Sequence, residues 1–449
     1  MGEFKAGVAK VNITPPVGFP QAGYGGREKC SETVDDELYA KALVLEDGEQ
    51  EIALVTTDLV KVPAELTQQV RAGVQETVGL SAEQVLLCAS HTHFGPVVEP
   101  VYYLPSEVMA GFDENYEQQL ARKIVGAVRL AHDRRRQARV AGGQGQAPEL
   151  VFNRRPKKPD GQVTMSWRPP PPEEAAGLTW GPTDPTVGVL RVEDENGNLL
   201  AALINFACHP VCGVDRLYAI SADYPGYAMQ VVEQVAGGIC LFALGCAGNV
   251  VPIEREGSAR RWIGTALGAE ALKVLSWLSG GSRPAPARLS AALTTVELPL
   301  KPLPTVEEAQ REVEEKEALL RQWEATPTSV ENISNPRGEL MRAKYILGLA
   351  KQAAGRTHLP VEVQVLGIGA TLLIGLPGEV FVELGLAIKQ QVEAEQVFVV
   401  SLSNDCPGYV PTAVAYKEGG YEPEWTPLAP GAGEALVEAA VTLAQRFSP

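Results

Sequence analysis

Only five histidines occur in the 449 residues, and three of them sit where ligands could gather. His91 and His93 stand in SHTHFGP directly after the apolar run QVLLCAS (84–90), and His209 stands in CHP after LINFAC. An H-x-H pair in an extended segment points two imidazoles to the same side, a common way of collecting metal ligands. Alone, the pair leaves two readings open: metal ligation or a hydrogen-bonded structural role. A third histidine and a carboxylate, Glu379 in LPGEV, stand at comparable strand ends and favour the metal. Several histidines with one carboxylate and an open position make a zinc hydrolase arrangement, in which bound water titrates near ~7 and a substrate carbonyl is polarised. Further polar residues at such ends are Asp58, the GCAGN turn, and Asn404, Asp405 and Tyr409 in SNDCPGY.

The elements that must position these residues are short apolar runs followed by amphipathic stretches, the pattern of βα units. EIALVTTDLV (51–60) leads to a helix near 63–78, QVLLCAS to one near 114–135, and LLAALINFA (199–207) to one near 225–236. ICLFALG and ATLLIGLPG repeat the pattern, each expected to precede a helix, and FVVSLSND (398–405) predicts a sixth strand. The runs are nearly continuous in Val, Ile, Leu and Ala, as expected of strands covered on both faces. The carboxyl ends of such strands converge on a ligand crevice. The expected fold class is therefore α/β, a mixed β-sheet core covered by helices, in a single domain spanning 1–449. RPPPPEE (168–174) reads as a surface loop, because proline suits neither a central strand nor a helix interior. Residues 304–356 read as a charged helical insertion whose two helices present solvated faces, with a cover for the site or an oligomer contact as the lesser reading.

Composition narrows the partners. The chain carries 55 acidic and 39 basic residues, a formal net charge of −16, which argues against nucleic acid or an anionic membrane as the main partner. No apolar run reaches the ~18–20 residues of a membrane span, so stable membrane insertion is not expected. The opening MGEFKAGVAKVNITPP has no basic-then-apolar secretory pattern, and the expected location is cytoplasmic. Seven cysteines without a short disulfide spacing suit a reducing compartment. The oligomeric state is left open.

SHTHFGP, NFACHP, GCAGNVVP, LPGEVF and GYVPTAVAYKEGGYE occur here in the order of the blocks of the neutral/alkaline non-lysosomal ceramidases, and KVNITPPVG and FNRR (152–155) look like further blocks. From about residue 5 to 425 the sequence resembles the catalytic domain of that family, without its additional C-terminal β-sandwich domain. The resemblance implies one Zn2+ held by His91, His209, Glu379 and Tyr409. It implies an acid–base or supporting role for His93, and an arginine, Arg154, that binds substrate or the developing oxyanion. Tyr421, twelve residues after Tyr409, matches a second active-site tyrosine whose hydroxyl could donate to the oxyanion. The implied enzyme is a zinc-dependent amidohydrolase of linear amides with a small-molecule N-acyl substrate. An esterase or lactonase on the same zinc centre is the alternative, with a non-catalytic small-molecule-binding relative as another class.

Two positions depart from the family pattern: Asn249 replaces an aspartate, and Val251 replaces a serine implicated in ceramidase catalysis. Valine offers neither a nucleophile nor a donor, so metal-activated water is the favoured attacking group. Plainer roles are expected elsewhere. Asp223 is read as a helix N-cap, and Asp58 as a cap or a support for a ligand histidine. His132 and His358 are assigned to a helix and a polar loop with surface roles. Cys208, Cys212, Cys246 and Cys406 are taken as small buried side chains, and the glycines of GYGGR as tight turns or close approaches.

Overall fold

All six expected apolar runs form strands, and a computed structural model, which describes residues 4–101, 103–279, 287–325 and 336–447, shows further strands between them. The larger sheet contains β1 (Lys5–Asn12), β2 (Tyr39–Glu46), β3 (Glu51–Thr57), β4 (Val85–Ala89), β5 (Arg136–Gln146), β6 (Thr186–Asp194), β7 (Leu199–Phe206) and β8 (Ile239–Leu244). Their spatial order is β8-β7-β6-β5-β1-β2-β3-β4. Only the two outer pairs, β3 with β4 and β7 with β8, are parallel. A smaller sheet orders β9 (Leu289–Pro299), β10 (His358–Ile368), β11 (Thr371–Gly375) and β12 (Gln396–Val400), with β11 and β12 parallel.

The main helices are α1 (Ala64–Val78), α2 (Glu114–Asp133), α3 (Asp223–Ala236), α4 (Ala259–Ser279), α5 (Val306–Ala325), α6 (Pro336–Ala353), α7 (Val382–Gln391) and α8 (Ala432–Ala444). Helices α1 to α4 cover one face of the larger sheet, where Val70, Ile124, Val232 and Ile263 share a core with Val55 and Ile204. The opposite face packs on the smaller sheet, Leu54, Leu190 and Leu203 joining Leu366, Leu373 and Phe398. The smaller sheet is capped in turn by α7 and α8 through Leu384, Ile388, Leu436 and Ala440. The result is a four-layer α/β/β/α stack, which explains the continuous apolar character of the inner strands.

Several expectations need correction. Successive βα units describe the outer parallel pairs of the larger sheet and β11–α7–β12 of the smaller one, whereas long antiparallel strands fill the middle of the larger sheet. Strand β5, RQARVAGGQGQ, looks too polar for this position, yet its glycines are what admit α4: a Cβ at Gly145 would collide with Glu270. After β8 the chain does not enter a helix at once, but pairs Val250–Pro252 with Val151–Asn153 before α4 begins. FVVSLSND stops as a strand at Val400, because Leu402 and Asn404 turn through φ of 52° and 62°. Within 168–174, Pro172–Ala175 forms one exposed helical turn with proline at its first position, where no hydrogen bond is lost. His358 opens β10 rather than lying in a loop, though it is exposed, and His132 lies in α2 as expected. Among the described residues no helix is long and apolar enough to cross a membrane.

Candidate metal centre

The three parallel strand pairs of the two main sheets deliver site residues from their carboxyl ends. His91 and His93 follow β4, His209 follows β7, Glu379 follows β11 and Tyr409 lies beyond β12. Local backbone shape aims them. His91 has φ of 68°, a left-handed conformation that turns the chain sharply off the strand. Glu379 and Tyr409 are brought side by side because Glu379–Val380 pairs in parallel with Tyr409–Val410.

Three imidazoles converge. The Nε2 of His91 lies 2.9 Å from that of His209 and 3.3 Å from that of His93, and the latter two are 3.1 Å apart. Glu379 Oε2 lies 3.3 Å from His91 Nε2 and 3.6 Å from His209 Nε2. The second ring nitrogens explain what this means. His91 Nδ1 donates to the Val60 carbonyl at 2.6 Å, and His209 Nδ1 donates to the Ala247 carbonyl at 3.0 Å. With their protons on Nδ1, both rings turn Nε2 lone pairs toward each other and toward a carboxylate.

Lone pairs cannot hydrogen-bond to one another, so the cluster calls for a positive charge at its centre. Glu379 Oε2 is buried and has no hydrogen-bond partner, a situation costing on the order of several kcal/mol if the charge stays unpaired. Protonated imidazoles are disfavoured, since burial, first, and then neighbouring charges hold His93 and His209 well below the ordinary histidine range. Four-coordinate zinc with Zn–N bonds of ~2.0–2.1 Å sets ligand nitrogens ~3.3 Å apart, close to the distances here. The buried His91, His93 and His209 group can therefore hold a metal ion.

The three histidines are not equivalent. The Nδ1 donations of His91 and His209 are the outer contacts that orient metal-binding imidazoles. His93 Nδ1 is buried without a hydrogen-bond partner. Its ring is held by packing instead: a Cβ on Gly23 would come within 2.6 Å of it, and the Tyr24 ring lies 5.0 Å away, centroid to centroid. Gly23 belongs to GYGGR, and close approach is the role it fills.

Tyr409 and Tyr421 stand with ring centroids 5.7 Å apart. Burial and then Glu379 raise the Tyr409 phenol well above its usual range, so ionising it as a ligand would need a nearby cation. Burial and Glu379 also push Tyr421 up to about 12, keeping its hydroxyl a donor at neutral pH. Arg154 lies behind Tyr409. Its guanidinium donates to Glu422 Oε1 and the Gly248 carbonyl, both at 2.7 Å, and lies 5.5 Å from the Tyr409 ring centroid. It backs Tyr409 and is absent from the cavity wall.

Val251 is fully buried in its short strand pairing and does not line the cavity either. Asn249 receives Val382 N–H at 2.9 Å and donates to Glu383 at 2.8 Å, a task a carboxylate could fill only in part. Asp58 accepts from Tyr39 N–H at 2.8 Å and supports no ligand histidine. Asp223 is the first residue of α3, where its carboxylate accepts from Tyr224 and Cys212 N–H groups. All seven cysteines are free, and of the four near the site only Cys406 borders the cavity.

One contributor escapes sequence reasoning and another is only its lesser reading. Arg27 is fully buried and spends its guanidinium on the backbone carbonyls of His93, Ala22 and Leu217, which fixes the H-x-H loop. Helix α6, from the charged insertion, roofs the site: Met341, Tyr345, Leu349 and Gln352 face a cavity of about 260 Å³ whose floor includes His91, His93, Glu379, Tyr409 and Tyr421. The spacing of Met341, Tyr345 and Leu349 at i, i+4 and i+8 was a usable signal, masked by the charge around it.

Histidines, a carboxylate and phenols gathered at parallel strand ends of a layered α/β fold define a candidate metal centre with a roofed cavity. The family model for the N-terminal part of neutral/alkaline non-lysosomal ceramidases matches residues 4–240, and the chain belongs to that family. Neutral ceramidase A of Dictyostelium discoideum is 30% identical over 203 residues, covering 44% of this chain and 27% of that protein. The neutral ceramidase of Mycobacterium tuberculosis is 24% identical over 463 residues, covering 89% of this chain and 70% of that protein. Against the D. discoideum protein and the Pseudomonas aeruginosa neutral ceramidase, the match spans only 27% and 37% of the relative's length. The solved structure of the P. aeruginosa protein shares the fold, with a TM-score of 0.72 at 22% identity over 100% of this chain and 76% of that chain.

Proposed function

We propose that this protein is a zinc-dependent hydrolase that cleaves a carboxamide (N-acyl) bond of a small molecule. The observation that carries the reading is the convergence of three histidine Nε2 atoms on one another, two of them, from His91 and His209, also facing the unpartnered Glu379 oxygen beside a cavity. We assign His91, His209, Glu379 and Tyr409 as the zinc ligands. Zinc bound there supplies a Lewis acid and a water acidified toward neutrality.

The protein's own groups do the rest. His93 Nε2 faces the same point, and its Nδ1 carries no fixed hydrogen bond, which suits a ring that takes up a proton and returns it to the departing amine. Tyr421 donates its hydroxyl to the oxyanion of the tetrahedral intermediate from the cavity wall. Arg154 acts as a positioning residue, holding Tyr409 rather than touching substrate. Seven free thiols support a reducing, cytosolic setting.

The test is to measure the zinc content of the purified protein and then compare matched amide and ester substrates before and after chelation. Amide turnover that is lost on chelation and restored by zinc is expected. Ester turnover without amide turnover would move the assignment to an esterase or lactonase, and metal-free protein with full activity would overturn it.

A further inference from the structure

The roof over the cavity is fastened on both rims. On one side Met341 seats on Gly25, where a Cβ would come within 2.7 Å of its sulfur, and Arg337 pairs with Glu28 at 3.5 Å. On the other side the Tyr345 hydroxyl donates to the Trp425 carbonyl, with ring centroids 5.1 Å apart. The remaining face of α6 is committed to α5, where Ala343, Leu347 and Ala350 pack on Ala309 and Val313. Contacts at both rims and along the back face place α6 as the cavity ceiling.

The space beneath it is about 260 Å³. A cavity of ~150 Å³ accommodates benzene, so this one holds roughly ten non-hydrogen atoms, the reacting amide included. It falls below the ~300–1,000 Å³ of sites that enclose drug-sized ligands. A long acyl chain exceeds that space and has to leave it through the open side. Each methylene enclosed is worth about fourfold in binding, and methylenes beyond the ceiling gain none of it.

Resting on the amide-hydrolase reading above, we propose that the substrate is a compact N-acyl compound with a short acyl chain, and that Met341 and Leu349 of α6 set the length limit. Long-chain ceramide is then a poor substrate. The inference concerns which amide is enclosed, and it has a readout that does not depend on turnover.

The experiment is a series of N-acyl derivatives of one chromogenic amine, from acetyl to hexadecanoyl, on the zinc-loaded protein. The expected kcat/KM climbs severalfold per carbon over the first few members and stops climbing by about octanoyl. In parallel, binding of the matching straight-chain carboxylates is measured by calorimetry and should break at the same length. Met341→Ala with Leu349→Ala should move the break to longer chains, whereas Leu349→Phe, which fills the space, should move it to shorter ones. An uninterrupted rise to hexadecanoyl overturns the size limit, and a break that neither variant moves overturns its assignment to α6. If no amide of any length is cleaved, the hydrolase reading fails, and the carboxylate series alone decides the length limit by the same two criteria.

Discussion

The floor and the roof of the cavity are made by different means. Apart from Tyr421, which opens the short helix Tyr421–Trp425, the floor residues stand at or just beyond the ends of strands, with backbone carbonyls gripping the outer nitrogens of His91 and His209. The roof is one helix of a charge-rich insertion, held by a few side-chain contacts at its rims. Ladders fix atoms to the tolerance that metal chemistry needs, whereas a rim-anchored helix defines shape and can change without refolding a sheet. Floor substitutions should therefore act on metal and rate, and roof substitutions on substrate choice.

The largest expected effect is on the floor. His209→Ala should abolish both metal retention and turnover, read as zinc per chain in the purified protein and as amine release; full activity would break the zinc assignment. His93→Ala sharpens the picture of the floor itself. Loss of ~10²–10⁴-fold in turnover with zinc retained is the signature of a proton carrier. If zinc is lost along with the rate, the 3.1 Å approach to His209 is that of a third imidazole ligand instead.

On the roof, Tyr345→Phe removes one hydroxyl bonded to the Trp425 carbonyl. It should lower stability by about 1 kcal/mol and raise KM a few-fold with kcat unchanged. A drop in kcat matching His93→Ala would erase the division between the two surfaces.

Away from both surfaces the smallest effect on turnover is expected, and the change falls on stability instead. Burial pushes the Asp223 carboxyl up to about 7, so between ~4 and ~7 the folded protein holds a proton that the unfolded chain has released. The stability this contributes is complete below ~4 and is lost as pH rises toward 7. Asp223→Asn should flatten that part of the curve, as measured by urea midpoints at pH 4.5 and 7.5. An unchanged slope would mean that Asp223 is ionised throughout.

What the sequence made legible follows this division. QVLLCAS, LINFAC and ATLLIGLPG are short apolar runs buried on both faces, so their ends, and with them His91, His209 and Glu379, could be located from pattern alone. Tyr409 could not, since its approach to Glu379 depends on a two-residue parallel pairing with no periodicity to read. Strand β5 was hidden because glycines and glutamines carry no apolar alternation, their small size being needed for packing against α4. The wall formed by α6 reads first as a solvated face, with a cover for the site as the lesser reading, because Met341, Tyr345 and Leu349 stand among charged neighbours. Arg154 was legible only as a position near the site, because its partners Glu422 and Gly248 and its place against the Tyr409 ring follow from the fold.

The left-handed backbone at His91 has a price that falls on the whole molecule. An L-residue with a Cβ gives up ~1–2 kcal/mol there relative to a relaxed conformation, and glycine gives up almost none. Replacing His91 by glycine should thus yield a more heat-resistant protein than replacing it by alanine, both variants being expected to lack the proposed activity. A lineage that abandoned the reaction and kept only the fold would gain by drifting to glycine at this one position, which makes residue 91 a marker of whether selection still acts on the chemistry.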